Sequence, residues 1–326
     1  MKFLFRTAAL AGVVLASVSA QAEELRVGWQ QIVEPARVPQ ADGTFDKETG
    51  AEVSWSQFAS GADVVAAIAS GSIDIGYVGS SPLTAAASQE LPISAIYIVG
   101  NIGEAEALAV KGVTDAKELE GKKIATPFAS TAHYSLLSAL SHWGIPSASV
   151  QLLNLRPQEI AAAWERGDID GAYIWDPVLQ TIKTSGGTVL ANSSNVAEWG
   201  SPTFDAWIVS KDYAAKHPEI VTAFVKVLGN ATADYLADPD KWSTGSSEVE
   251  AIARLTGAKA EDVPLLLKGY TFADLNAQTS AAYLGGGTAK ALADTAQFLA
   301  TQGTISAALP DYTPYVDASF AEAAKD

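Results

Sequence analysis

The stretch Thr126-Pro127-Phe128-Ala129-Ser130-Thr131-Ala132-His133-Tyr134 puts two hydroxyls and an imidazole where an apolar strand gives way to an amphipathic helix. A helix start carries backbone N–H groups without partners and the positive end of the dipole. With Ser130, Thr131 and His133 beside it, such a start can seat a tetrahedral oxyanion; the same residues also suit a plain Ser/Thr cap. Gly79-Ser80-Ser81-Pro82 offers the same chemistry from an earlier strand end, with Ser81 as cap and Pro82 at the first helical position. Gln30 can donate and accept. Glu34 can take a cation or act as a helix-start charge before Pro35. Asp205, between Phe204 and Trp207, needs either a partner or a cationic ligand such as an ammonium. Tyr77, Trp175 and Trp207 end strands and suit a cleft wall or a core, and Asp176 reads as the cap of a helix that continues with Pro177.

Other chemistries find little support. There is no cysteine, which removes thiolate nucleophiles, disulfides and iron–sulfur clusters. The histidines His133, His142 and His217 lack the spacing of metal ligands, so neither a metal nor a cofactor is expected. Asp168-x-Asp170-Gly171 begins like a calcium loop and then departs from it. The glycine-rich phosphate and dinucleotide loops, G-x-S-x-G and H-E-x-x-H are missing. The enzymatic alternative is an exported hydrolase built on Ser130 and His133.

These residues are positioned by a pattern that the chain uses twice. Residues 63–77 and 159–173 each run from an Ala-rich apolar helix through a glycine to a short strand, aligning Gly71, Ile73, Asp74 and Tyr77 with Gly167, Ile169, Asp170 and Tyr173. A glycine past a helix end takes the left-handed conformation that closes it. In open α/β sheets ligands bind where strands end and helices begin, so two such units imply two lobes with a ligand between them. Strands are expected at 25–30, 52–58, 73–78, 93–99, 107–111, 123–128, 150–155, 169–175, 188–190 and 204–209. Between them lie helices near 35–48, 61–70, 81–89, 132–143, 158–166 and 177–183. From Lys211 onward the chain reads as mostly helical, with an amphipathic helix opening at His217-Pro218-Glu219. The expected division is a signal peptide at 1–22, a discontinuous lobe of 23–104 plus 208–326, and a second lobe of 105–207.

The leader is read from Lys2 and Arg6, an apolar run from Ala8 to Val18, and Ala20-Gln21-Ala22 as the cleavage site. Its removal takes away two basic residues and shifts the formal charge from −16 to −18. So acidic a protein is not expected to bind nucleic acid or an anionic membrane, and the expected address is the periplasm.

The Ser-Gly-x-Ile-Asp-Ile-Gly strand with its Gly-Ser-Ser-Pro, the Ser-Thr-x-His-Tyr stretch, Arg-Gly-Asp-Ile-Asp-Gly-Ala-Tyr-Ile-Trp, and Trp-Gly-x-Pro-Thr-x-Asp-x-Trp (Trp199 to Trp207) resemble the periplasmic taurine-binding proteins of ABC importers. Alkanesulfonate- and nitrate-binding proteins are the broader relatives. The resemblance runs through the mature chain. It implies a class II solute-binding fold, two α/β lobes closing on a ligand cleft, with a helical C-terminal segment. It also implies a permease and an ATPase as partners; the receptor itself is expected to be a monomer. A taurine-like zwitterion would place its sulfonate on Ser80, Ser81, Ser130, Thr131 and His133 and its ammonium on Glu34 and Asp205. Gln30 and Trp175 complete the expected site. A plain aliphatic sulfonate or sulfate ester is the alternative ligand.

Overall fold

The computed structural model describes residues 23–325; the expected signal peptide lies outside them. Among the described residues, eleven strands form two sheets. The first holds β1 (Glu24–Trp29), β2 (Glu52–Gln57), β3 (Ile75–Gly79), β4 (Ile93–Ile102), β10 (Phe204–Ser210) and β11 (Tyr270–Phe272), in the order β11-β4-β10-β3-β1-β2. The second holds β5 (Glu106–Val110), β6 (Lys123–Thr126), β7 (Gln151–Asn154), β8 (Gly171–Trp175) and β9 (Thr188–Asn192), in the order β7-β6-β8-β5-β9.

The two sheets repeat one plan. In each, three parallel strands are followed by one antiparallel strand, β10 in the first and β5 in the second. Strands β3, β5 and β8 are buried at every position, as expected where helices cover both faces. Edge strand β2 is largely exposed. The first lobe carries helices α1 (Arg37–Asp42), α2 (Thr44–Thr49), α3 (Gly61–Ala69) and α4 (Ser80–Ser88). The second carries α5 (Thr131–His142), α6 (Pro157–Arg166), α7 (Val178–Thr184) and α8 (Ser193–Glu198). The remainder is helical: α9 (Lys211–Lys216), α10 (Pro218–Ala237), α11 (Ser247–Thr256), α12 (Val263–Leu267), α13 (Leu275–Gln278), α14 (Gly287–Thr301) and α15 (Ser319–Ala323). Among the described residues, no helix is long and apolar enough to cross a membrane.

Both copies of the sequence repeat fold alike. Gly71 and Gly167 take positive φ, +71° and +75°, directly after α3 and α6 have ended. Asp74 and Asp170 each accept from a backbone N–H of the neighbouring parallel strand, Arg26 at 3.0 Å and Lys123 at 2.8 Å. The shared aspartate therefore fixes strand register in each lobe.

Three expectations change at element ends. The helix expected at 35–48 is broken by Gly43 (φ +78°) into α1 and α2. Helix α4 begins at Ser80 with Gly79 as its cap, so Ser81 is inside the helix and caps nothing. The Asp176–Pro177 bond is cis and α7 starts at Val178, so Pro177 does not open the helix; the Asp176 carboxylate instead accepts from Gln180 N at 3.0 Å.

The chain passes between lobes twice, from β4 to β5 and from α8 to β10, and the passages run side by side, Ile102 N donating to Thr203 O at 3.0 Å. The expected boundary at 207/208 falls inside β10, all of whose residues pair in the first sheet, so Asp205 and Trp207 belong to the first lobe. The lobes also meet away from these passages. Gln158 donates to Gln31 at 2.8 Å, Gln180 to Asp262 at 3.2 Å, and Tyr134 of α5 packs edge-on against Phe298 of α14.

Candidate functional site

A narrow cleft lies between the lobes. The first lobe contributes Gln30, Ile32, Gly61, Gly79, Pro82, Ile102 and Asp205, the second Glu106, Ser130, Thr131 and Trp175, and the C-terminal segment Tyr270. Of the residues expected from sequence, Gln30, Ser130, Thr131, Trp175 and Asp205 are brought together here.

Two carboxylates dominate the lining. Asp205 is 3 % exposed and Glu106 is 1 % exposed. Their placement follows the internal repeat. Asp205 on antiparallel β10 lies opposite Gly79, the last residue of β3. Glu106 on antiparallel β5 lies opposite Trp175, the last residue of β8. Gly79 and Trp175 stand two residues beyond the aligned Tyr77 and Tyr173, so the carboxylates occupy equivalent positions in the two lobes.

Among the described residues no cation pairs with either carboxylate; each is held by neutral hydroxyls. Glu106 accepts from Thr131 Oγ1 at 2.6 Å, Ser193 Oγ at 2.8 Å and Ser135 Oγ at 3.4 Å. Asp205 Oδ2 accepts from the Tyr270 hydroxyl at 3.1 Å. The Tyr77 hydroxyl faces the same carboxylate without a well-aligned hydrogen bond. Burial pushes the Glu106 carboxyl up to about 7, against the lowering influence of its hydroxyl donors. Burial pushes Asp205 up to about 8, and the nearby Glu106 charge adds to the rise. Both are poised to ionise fully once a positive group enters.

Three helix starts face the same space. Ser60 caps α3 by accepting from Asp63 N, and Ser130 caps α5 by accepting from His133 N. Each cap serves the third helical residue and leaves the first two N–H groups, those of Gly61 and Ala62 and of Thr131 and Ala132, without a carbonyl one turn back inside the helix. Helix α4 has no side-chain cap at all, so the N–H groups of Ser80 and Ser81 are free of one as well. Gly61 and Gly79 carry no Cβ, and neighbouring side chains use the space: a Cβ on Gly61 would stand 2.7 Å from Pro82 Cγ. A Cβ on Gly79 would stand 2.6 Å from Thr131 Cγ2 and 3.3 Å from Asp205 Oδ1.

Several of the expected residues sit outside the cleft lining or have their polar atoms already engaged. The Glu34 carboxylate is not in the cleft lining; it faces Arg37 at 2.6 Å, both side chains at most 2 % exposed, although the charges meet without a well-aligned N–H···O line. Burial holds Glu34 up at about 7 even with Arg37 beside it. The Arg37 guanidinium lies against the rings of Trp29, Tyr77 and Trp207. The Ser130 hydroxyl is spent on its own turn, donating to Pro127 O at 2.6 Å while capping α5. The Thr131 hydroxyl has given its one proton to Glu106, so toward a ligand it is an acceptor. His133 stacks on Phe128 (4.4 Å between centroids), its Nδ1 accepts from Ala129 N, and burial pushes its pKa down to about 4, so it is neutral. Ser130 and His133 thus do not form a nucleophile–base pair. Ser80 Oγ accepts from Phe204 N at 3.4 Å, Ser81 Oγ is buried without a partner, and neither side chain lines the cleft.

Sequence reasoning missed Glu106 and Tyr270. The signal for Glu106 was present, a carboxylate directly heading the apolar run Ala107–Val110 at a lobe passage. Tyr270 stands in a three-residue strand too short to announce itself.

The chain is similar to proteins already described. Residues 38–242 match the family model described as NMT1/THI5 like. The chain is 47% identical over 318 residues, 97% of its length and 98% of the relative's, to the taurine-binding periplasmic protein of Escherichia coli strain K12. It is 31% identical over 65% of its length and 65% of the relative's to a putative aliphatic sulfonates-binding protein of Bacillus subtilis strain 168. Among solved structures, the alkanesulfonate-binding protein SsuA of Xanthomonas axonopodis pv. citri bound to MOPS superposes with a TM-score of 0.75 at 24% identity, covering 88% of this chain and 96% of that one; at that identity the likeness concerns the fold.

Proposed function

The chain belongs to the NMT1/THI5-like family, and within it we propose that this protein is a periplasmic receptor that closes on taurine and delivers it to the permease and ATPase of an ABC importer. The observation that carries the reading is the pairing, in one small cleft, of two cation-free carboxylates with three helix starts.

The chemistry follows from that pairing. The ammonium lies between Asp205 and Glu106, one from each lobe, with the Thr131 oxygen as a further acceptor. Removing these carboxylates from water is costly, and a bound cation offsets the cost. The sulfonate lies against the first-turn N–H groups of α3, α4 and α5, where the dipoles favour an anion and the fixed donors need no rearrangement. The Gln30 amide, which donates to Tyr77 O at 3.0 Å, fixes the floor beside them. Trp175, Ile32, Ile102 and Pro82 enclose the short hydrocarbon link. Because both lobes supply partners, ligand favours the closed arrangement. A plain alkanesulfonate would leave two buried carboxylates unpaired and would bind as though the site were half built.

Titration calorimetry on ligand-stripped protein tests this, with taurine and then ethanesulfonate. The expected result is at least micromolar affinity for taurine, about −8 kcal/mol or better, and affinity weaker by a hundredfold or more for ethanesulfonate, since removing one partner from a buried charged contact costs about 3–5 kcal/mol. Equal affinities would overturn the zwitterion site and leave a general sulfonate or sulfate-ester receptor.

A further inference from the structure

The two carboxylates are equivalent by position but not by support. Glu106 has three hydroxyl donors, all from its own lobe: Thr131, Ser135 and Ser193. Asp205 has one well-aligned donor, and it comes from neither repeat. Tyr270 arrives on β11, the short edge strand of the C-terminal segment, and its hydroxyl takes Asp205 Oδ2. That leaves Oδ1 on the side of Gly79 and Thr131, where the cleft is.

The strand that delivers Tyr270 is fixed unusually closely. Tyr270, Thr271 and Phe272 pair with Ile102, Asn101 and Gly100 of β4, and Ala105 N donates to Gly269 O at 3.3 Å. A Cβ on Gly100 would collide with Thr271 O, and one on Gly103 would fall 2.7 Å from Gly269 O. The Tyr270 ring lies parallel to that of Phe272, 5.5 Å between centroids, and Phe272 meets Tyr235 of α10 edge-on. Backbone and ring are both held before any ligand arrives.

We propose that Tyr270 is a positioning residue for the cation end of the site: its hydroxyl fixes one oxygen of Asp205 so that the other meets the ligand's ammonium, which makes the C-terminal segment a determinant of the preference for amino-sulfonates over plain sulfonates. The inference rests on the zwitterion reading of the cleft. Burial and the Asp205 charge hold the Tyr270 hydroxyl well above the ordinary tyrosine range, so it stays a donor throughout the physiological pH range. The other groups facing Asp205 are Tyr77, Glu106 and Glu34, the last countered by Arg37. None of them offers Asp205 a second well-aligned donor or a cation.

The test is Tyr270→Phe, which keeps the ring and removes only the hydroxyl, alone and combined with Asp205→Asn. A hydrogen bond to a charged group corresponds to about a tenfold change. The preference for taurine over ethanesulfonate should therefore narrow about tenfold in Tyr270→Phe, and the hydroxyl's removal should have no further effect once the Asp205→Asn substitution is in place. In ligand-free protein, the Asp205 carboxyl resonance, assigned by its loss in Asp205→Asn, should titrate at higher pH in Tyr270→Phe, because a donor that favours the ionised form is gone. An unchanged preference and an unchanged titration would overturn the proposal, as would the same loss in the Asp205→Asn background. Should wild-type protein not prefer taurine, the functional reading falls, and the ligand-free titration still decides whether Tyr270 positions Asp205.

Discussion

The first and second lobes are built from one strand–helix plan and use it to opposite ends. Gly79 and Trp175 occupy equivalent positions, each at the end of a buried strand, each opposite a carboxylate on an antiparallel neighbour. In the first lobe the position is empty of side chain, and a helix starts at once with its N–H groups toward the cleft. In the second an indole fills the position, and a turn through the cis Asp176–Pro177 bond delays the helix. Even the repeat tyrosines keep equivalent posts, Tyr77 behind Asp205 and Tyr173 behind the Ser193 hydroxyl that supports Glu106. The residues that make the repeat fold are the same, and the residue at the strand tip sets what each lobe presents to the cleft.

The sharpest way to break this comparison is to give both strand tips a side chain of the same size. Gly79→Ala should weaken taurine binding by a hundredfold or more in calorimetry, because its Cβ would overlap Thr131 and crowd Asp205 where the lobes meet. Trp175→Ala should cost only about tenfold, the loss of an apolar wall. Equal effects would mean that the two tips do the same job.

The paired carboxylates should also appear in the pH dependence of stability. Glu106 and Asp205 have folded-state pKa values of about 7 and about 8, above their ordinary ones, so between these limits the folded protein holds more protons than the unfolded chain. Ligand-free protein should lose melting temperature as the pH rises from about 5 to about 8, and Glu106→Gln with Asp205→Asn should flatten that slope. Saturating taurine should flatten it too. A slope untouched by the double substitution would place the titrating groups elsewhere, at Glu34 or Asp176, which burial also raises to about 7.

The smallest test concerns the repeat aspartates. Asp74 accepts from Arg26 N and from the Arg26 guanidinium at 2.9 and 2.6 Å, whereas Asp170 accepts from one backbone N–H of Lys123. Asp74→Ala should therefore lower urea-unfolding stability by about 2–3 kcal/mol and Asp170→Ala by about 1 kcal/mol. Equal losses would show that the guanidinium adds nothing to the register lock.

Much of the fold was legible because it rests on local signals. Alternating apolar runs, glycine stops and the doubled Gly-x-Ile-Asp element gave both lobes and nearly all strands. The lining of the candidate site was legible only where it coincides with an element end, as at Ser130, Thr131 and Trp175. Glu34 misled because its partner, Arg37, is three residues away in a tight turn and takes the charge out of play. Thr131 lines the cleft, but its proton goes to Glu106 and not toward the open space. Which way a hydroxyl points its single proton depends on Glu106, twenty-five residues earlier in the chain, and no local pattern encodes it. Phe204–Val209 read as a strand, yet its partners, β3 and β4, lie beyond the whole second lobe.

That last placement has a consequence for the order in which the molecule can assemble. Every strand of the second sheet comes from the continuous stretch Glu106–Asn192, so that sheet can close as soon as its own residues are available. The first sheet cannot, because β10 belongs in its middle, between β3 and β4, and is reached only after the second lobe has been spelled out. Long-range pairing of this kind is slow, since the chain must lose the entropy of a large loop before the contact stabilises it. The lobe that begins first is therefore finished last, and Asp205 reaches its place in the same step that joins β3 to β4 through β10.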